Sequence, residues 1–105
     1  MMDKPECKSI VRAVLPAVRA SIASTMHDRY GYSQESIAEK LGVVQVAVSK
    51  YLHNKYSPQI RKMKNYILQN SLSDSIVSGI VRGEDRQQID HAIDELCDRL
   101  VATTV

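Results

Sequence analysis

The 105-residue sequence contains no tryptophan and no phenylalanine. Any core must therefore be made from Ile, Val, Leu, Met and the five tyrosines, a thin set for one modest domain that burial against a second copy would supplement. Cysteine is nearly absent too. Cys7 and Cys97 lie far apart with no C-x-x-C spacing, which excludes a disulfide framework and a zinc motif and fits a reducing cytoplasm. The longest apolar runs are a few residues, too short to cross a bilayer. The opening "MMDKPECKS" has an early acid and no apolar stretch, which argues against a signal peptide. Internal repeats, low-complexity segments and strand-like alternation are also missing.

Chemistry-bearing patterns are equally scarce. His27, His53 and His91 are widely separated and show no metal-ligand spacing. The chain has no Ser-elbow, no Cys/His pair and no glycine-rich phosphate loop. We therefore expect no enzyme activity, no metal and no cofactor.

What is present is helical periodicity and an uneven charge. Residues 1–65 hold eleven Lys/Arg against five Asp/Glu, a balance of +6, and residues 66–105 hold three against seven, a balance of −4. This split fits a first half that faces a polyanion, and it also fits chance clustering on a solvated surface. Ile10, Val11, Val14, Leu15, Val18, Ile22 and Met26 recur at three- and four-residue steps and predict an apolar helix stripe. Pro16 falls inside it. Either the helix kinks or it divides, and two helices near 5–14 and 16–29 are the favoured reading, with Gly31 as the stop. Residues 58–81 read as helical, with a possible break at Ser71 and Ser73. After a turn at 82–85, Ile89, Ile93, Leu96 and Leu100 form a heptad-like seam. Such a seam serves core packing or a dimer contact; we assign it to dimerisation. The expectation is an all-α domain of five to six helices, with a helix-turn-helix region at 1–57 and a helical region at 58–105.

The informative stretch is "QESIAEKLGVVQVAVSKYLH", residues 34–53. Ser33 precedes it as an N-cap, although Ser36 stands where a full capping box has Glu. Ala38 is small enough to let a second helix cross closely, and Gly42 can take a positive φ at the turn. Ile37, Leu41, Val43, Val48, Tyr51 and Leu52 occupy positions able to pack. Every site has a steric reason, and all are filled together. The pattern is a helix-turn-helix whose second helix spans about 45–53.

Residues 17–54 resemble the lambda-repressor/Cro-like (XRE) DNA-binding domains, with "SQESIAEKLGV.Q.AVS.YL" as the shared wording and both glutamines, Gln34 and Gln45, in place. More narrowly, "IVRAVLPAVRASIA" joined to "YSQESIAEKLGVVQVAVSKYL" resembles small archaeal predicted transcriptional regulators, over about residues 5–55. Members of that group often carry a cysteine cluster or an extra domain further on. Here only Cys97 stands there, so no metal or ligand site is carried over. The resemblance implies a homodimeric transcription regulator that binds double-stranded DNA with its second motif helix in the major groove. Val44, Gln45, Val46, Ser49 and Lys50 would then meet base edges: Gln45 an adenine, Val46 a thymine methyl, Ser49 a base edge, Lys50 a guanine or a phosphate. Ser33, Gln34, His53, Asn54 and Lys55 would face the DNA backbone, with Gln34 binding a phosphate or buttressing Gln45.

Each residue also has a plainer reading. Val46 would be buried against the C-terminal half, Gln45 would be an ordinary first-turn residue, and His53 and Lys55 would be solvated. Lys55, Arg61, Lys62 and Lys64 would line phosphates, or would form a solvated helix face. The competing function is a protein-interaction module, antitoxin-like or polymerase-associated, that uses the helix-turn-helix as a scaffold.

Overall fold

A computed structural model describes residues 5–104, with side chains from 11 to 103; Cys7 and Ile10 fall outside the described side chains. The chain forms six helices, and among the described residues there is no strand. They are α1 (Pro5–Tyr30), α2 (Gln34–Leu41), α3 (Gln45–Leu52), α4 (Pro58–Gln69), α5 (Asp74–Val81) and α6 (Arg86–Thr104).

α1 is the axis of the molecule and touches all five other helices. Its sequence explains how. Ala13, Ala17, Ala20, Ser21 and Ala23 are buried and small, so neighbouring backbones can approach from several sides. Val14, Val18, Ile22 and Met26 supply the bulk and join a core cluster drawn from every helix. The division expected at Pro16 does not occur: one helix runs through it. A proline inside a helix costs on the order of 3 kcal/mol. Burial of Ala13, Val14, Ala17 and Val18 on both sides of Pro16 offsets that loss through core packing. Val11, placed in the stripe by its spacing, is exposed. Gly31 does end the helix, at φ 70°, with the Tyr32 N–H bonded back to the Met26 carbonyl.

The break near Ser71–Ser73 separates α4 from α5. Ser71 takes φ 54°, and the Leu72 N–H closes on the Ile67 carbonyl. Ser73 then turns inward, where the buried Ser21 hydroxyl donates to its oxygen at 3.1 Å. α6 opens on a reciprocal cap: the Gln88 N–H donates to Asp85 Oδ1 and the Asp85 N–H donates to Gln88 Oε1.

The α6 seam corrects our assignment. Ile89, Ile93, Leu96 and Leu100 are each at most 4% exposed within a single chain and belong to its own core. α6 lies against α1, α5 and α2, so these side chains are already covered and present no face to a second copy. No helix among the described residues is long and apolar enough to cross a membrane.

Candidate nucleic-acid interface

The helix-turn-helix is built by local rules. Ser33 caps α2 by accepting the Ser36 N–H on its Oγ, 3.1 Å away. Ile37, Ala38 and Leu41 are buried, which leaves Glu35 and Glu39 in solvent. Gly42 sits at φ 68°, ψ 36°, and the Gly42 and Val43 N–H groups both return to the Ala38 carbonyl. This closure turns the chain sharply, so only three residues separate α2 from α3. Val48 is fully buried beneath α3, with Val43, Tyr51 and Leu52 packed beside it.

The opposite arc of α3 carries Gln45, Val46, Ser49, Lys50 and His53, which share one face at three- and four-residue steps. Gln45, Val46 and Lys50 are exposed and Ser49 is half-exposed. Val44 and Val46 are 70% and 65% exposed, so the chain spends no internal burial on either. The helix start is also electrostatically bare. Val44 holds the N-cap position without a side-chain acceptor, and the first turn contains no acid. The positive end of the α3 dipole therefore faces outward unshielded.

The remaining backbone candidates are distributed around this face. Gln34 opens α2, half-exposed, and no hydrogen bond joins it to Gln45. His53 Nδ1 donates to the Ser49 carbonyl at 2.8 Å, so the neutral ring leaves Nε2 as an acceptor and only the imidazolium offers a second donor. Lys55 is exposed, with its N–H closing the end of α3 onto the Lys50 carbonyl. Asn54 takes φ 56° at that closure.

Lys64 departs from the expected solvated or phosphate-lining row. It is 7% exposed, and its Nζ donates to Asn54 Oδ1 at 3.2 Å and to the Tyr56 hydroxyl at 2.9 Å. Arg61 and Lys62 are exposed as expected. A signal that the charge halves blur is the distribution of acids. From Lys40 to Ser73 the chain has six Lys/Arg and no Asp or Glu. Among the described residues, no ion pair uses Lys50, Lys55, Arg61, Lys62 or Lys64. Cations without an ion pair therefore run along α3, α4 and the loop between them, while Arg12, Arg19, Lys40 and Arg99 are the unpaired ones elsewhere among the described residues.

Cys97 is half-buried, and its thiol is pushed up to about 11, first by burial and then by the Asp94 and Asp98 carboxylates, with Arg19 opposing. It is far from the thiolate character that a nucleophile or metal ligand needs. Among the described residues, no three His, Cys, Asp or Glu side chains gather where they would hold a metal ion. No family model, curated protein or solved structure matches the chain.

Proposed function

We propose that the chain is a sequence-specific transcription regulator of the lambda-repressor/Cro-like (XRE) kind, working in the cytoplasm on double-stranded DNA. The observation that carries the reading is the outward face of α3: an amide, methyls, a hydroxyl and an ammonium around an uncapped helix start, with Val44 and Val46 left in solvent. Base edges in the major groove are matched by such groups. Gln45 can bond adenine N6 and N7, Val46 can cover a thymine methyl, Ser49 can donate or accept, and Lys50 can reach guanine or phosphate. Charge belongs on the flanks, where Lys55, Arg61 and Lys62 stand without carboxylate partners. This reading gives the protein no catalytic role.

One α3 of eight residues spans few base pairs. We therefore propose that two copies act together across a two-fold axis, placing their α3 helices about 34 Å apart over a pseudo-palindrome. The pairing surface lies outside the buried α6 seam.

In-vitro selection of duplexes on the purified protein tests the reading. Enrichment of a short motif, repeated about one helical turn away, is the expected result. Absence of binding even at low salt would instead favour the protein-interaction module, because the two exposed valines would equally suit a protein partner.

A further inference from the structure

Lys64 is a buried cation with no anion beside it. Its ammonium lies at the hydroxyl edge of Tyr56, 5.5 Å from the ring centroid, and its hydrogen-bond acceptors are the neutral Asn54 Oδ1 and Tyr56 hydroxyl. Desolvating an ammonium is expensive unless the charge is answered, and among the described residues only these neutral dipoles answer it. The arrangement also fixes Asn54. Lysine has donors and no acceptor, so only the amide oxygen of Asn54 can face it. Tyr56 donates to that same oxygen. Asn54 Nδ2 therefore points away from Lys64, and among the described residues it has no hydrogen-bond partner. The backbone holds the same residue in place, because Asn54 occupies the left-handed position that ends α3 and the Lys55 N–H closes behind it.

We propose that Asn54, Tyr56 and Lys64 form a charge-backed donor for one phosphate of the DNA backbone. Asn54 Nδ2 makes the contact. Lys64 polarises the amide through its oxygen and supplies the counter-charge from within the fold, and Tyr56 locks the amide's orientation. The phosphate thereby fixes where the end of α3 sits along the groove. Lys64 and Tyr56 are positioning residues in this account. It rests on the DNA-binding reading, since the phosphate is one of the duplex on which α3 lies.

The test is a double-mutant cycle read by binding to a mixed-sequence duplex. Asn54→Gly suits the left-handed backbone and removes the amide without adding charge. Lys64→Met keeps the unbranched buried side chain except for its terminal atom and removes the charge. Each single change is expected to weaken DNA binding about tenfold, a charge-assisted hydrogen bond's worth. Lys64→Met should also reduce the salt slope by about 1. The double variant should be no worse than about threefold beyond the weaker single variant, because both changes break one unit. Additive losses, or single variants that bind like wild type, overturn the proposal. Should Lys64→Met fail to fold, the wild type still decides: its Asn54 side-chain amide proton should move downfield on adding duplex, and an unmoved signal overturns the proposal. Weakening of the wild-type complex by inorganic phosphate, beyond that by chloride at equal ionic strength, would assign the site to free phosphate and equally overturn it. Failure of the wild type to bind any duplex defeats the DNA-binding reading itself.

Discussion

The Arg86 guanidinium lies directly over Gly42: a methyl group placed on that glycine would sit 1.7 Å from Arg86 Nη2. The first turn of α6 thus covers the turn of the helix-turn-helix, and Asp90 holds the arginine there at 3.3 Å. The C-terminal helix is in this way attached to the helix-turn-helix at the glycine between α2 and α3.

Gly42→Ala should destabilise the fold by about 1–2 kcal/mol in urea denaturation, from forcing a side chain into the left-handed region. The arginine tip is flexible, so most of the loss should persist in an Arg86→Ala background. Disappearance of the loss in that background would mean that the steric contact, and not the backbone, dominates.

Leu96→Ala should lower stability by about 2–5 kcal/mol, the range for a buried leucine, with the same shift at every protein concentration. Thermal melts over a concentration series check this. A loss that grows on dilution would make α6 a dimer seam after all.

Cys97 should react slowly. With its thiol pushed up from 9.0 to about 11, alkylation by iodoacetamide near pH 8 in a Cys7→Ser variant should run about a hundredfold slower than for an unperturbed thiol. The linkage has a definite sign. The folded state keeps its proton while the unfolded thiol, at 9.0, loses it, so this contribution to stability is complete below pH 9 and fades as the pH rises toward about 11. Cys97→Ala should remove that component of the pH profile, measured as the difference from wild type in urea midpoints. An identical profile in both would contradict the shift.

Val46→Ala should leave the melting temperature unchanged, since the side chain is 65% exposed, yet reduce preference for a selected duplex over a mixed-sequence one. A drop in melting temperature with no change in preference would return Val46 to an internal packing role.

The parts of the fold that were legible in the sequence are those governed by neighbours in the chain. Ser33, Gly42 and the spacing of Ile37, Ala38, Leu41 and Val48 predict α2, the turn and α3, because caps and left-handed turns are short-range chemistry. The break near Ser71 is of the same kind. Three features escaped because distant contacts decide them. Pro16 breaks an isolated helix, but α1 is packed on all sides and continues. The periodicity of Ile89, Ile93, Leu96 and Leu100 shows an apolar face but not which surface covers it. Lys64 reads like its neighbours Arg61 and Lys62 until Asn54 and Tyr56 are brought over it. For the candidate site, the outward arc of α3 follows from helical spacing alone, whereas the orientation of Asn54 needs the folded loop.

The central claim is that α3 reads bases, and a fluorescence titration tests it most directly. Wild type and Gln45→Ala would be compared on a selected duplex and on the same duplex changed at its adenines, at two salt concentrations. The account predicts that wild type prefers the selected duplex, that its affinity falls steeply with salt, and that Gln45→Ala loses about 1–3 kcal/mol of discrimination at one adenine while keeping its salt slope. Full retention of sequence preference by Gln45→Ala, or absence of binding by wild type at low salt, would contradict it.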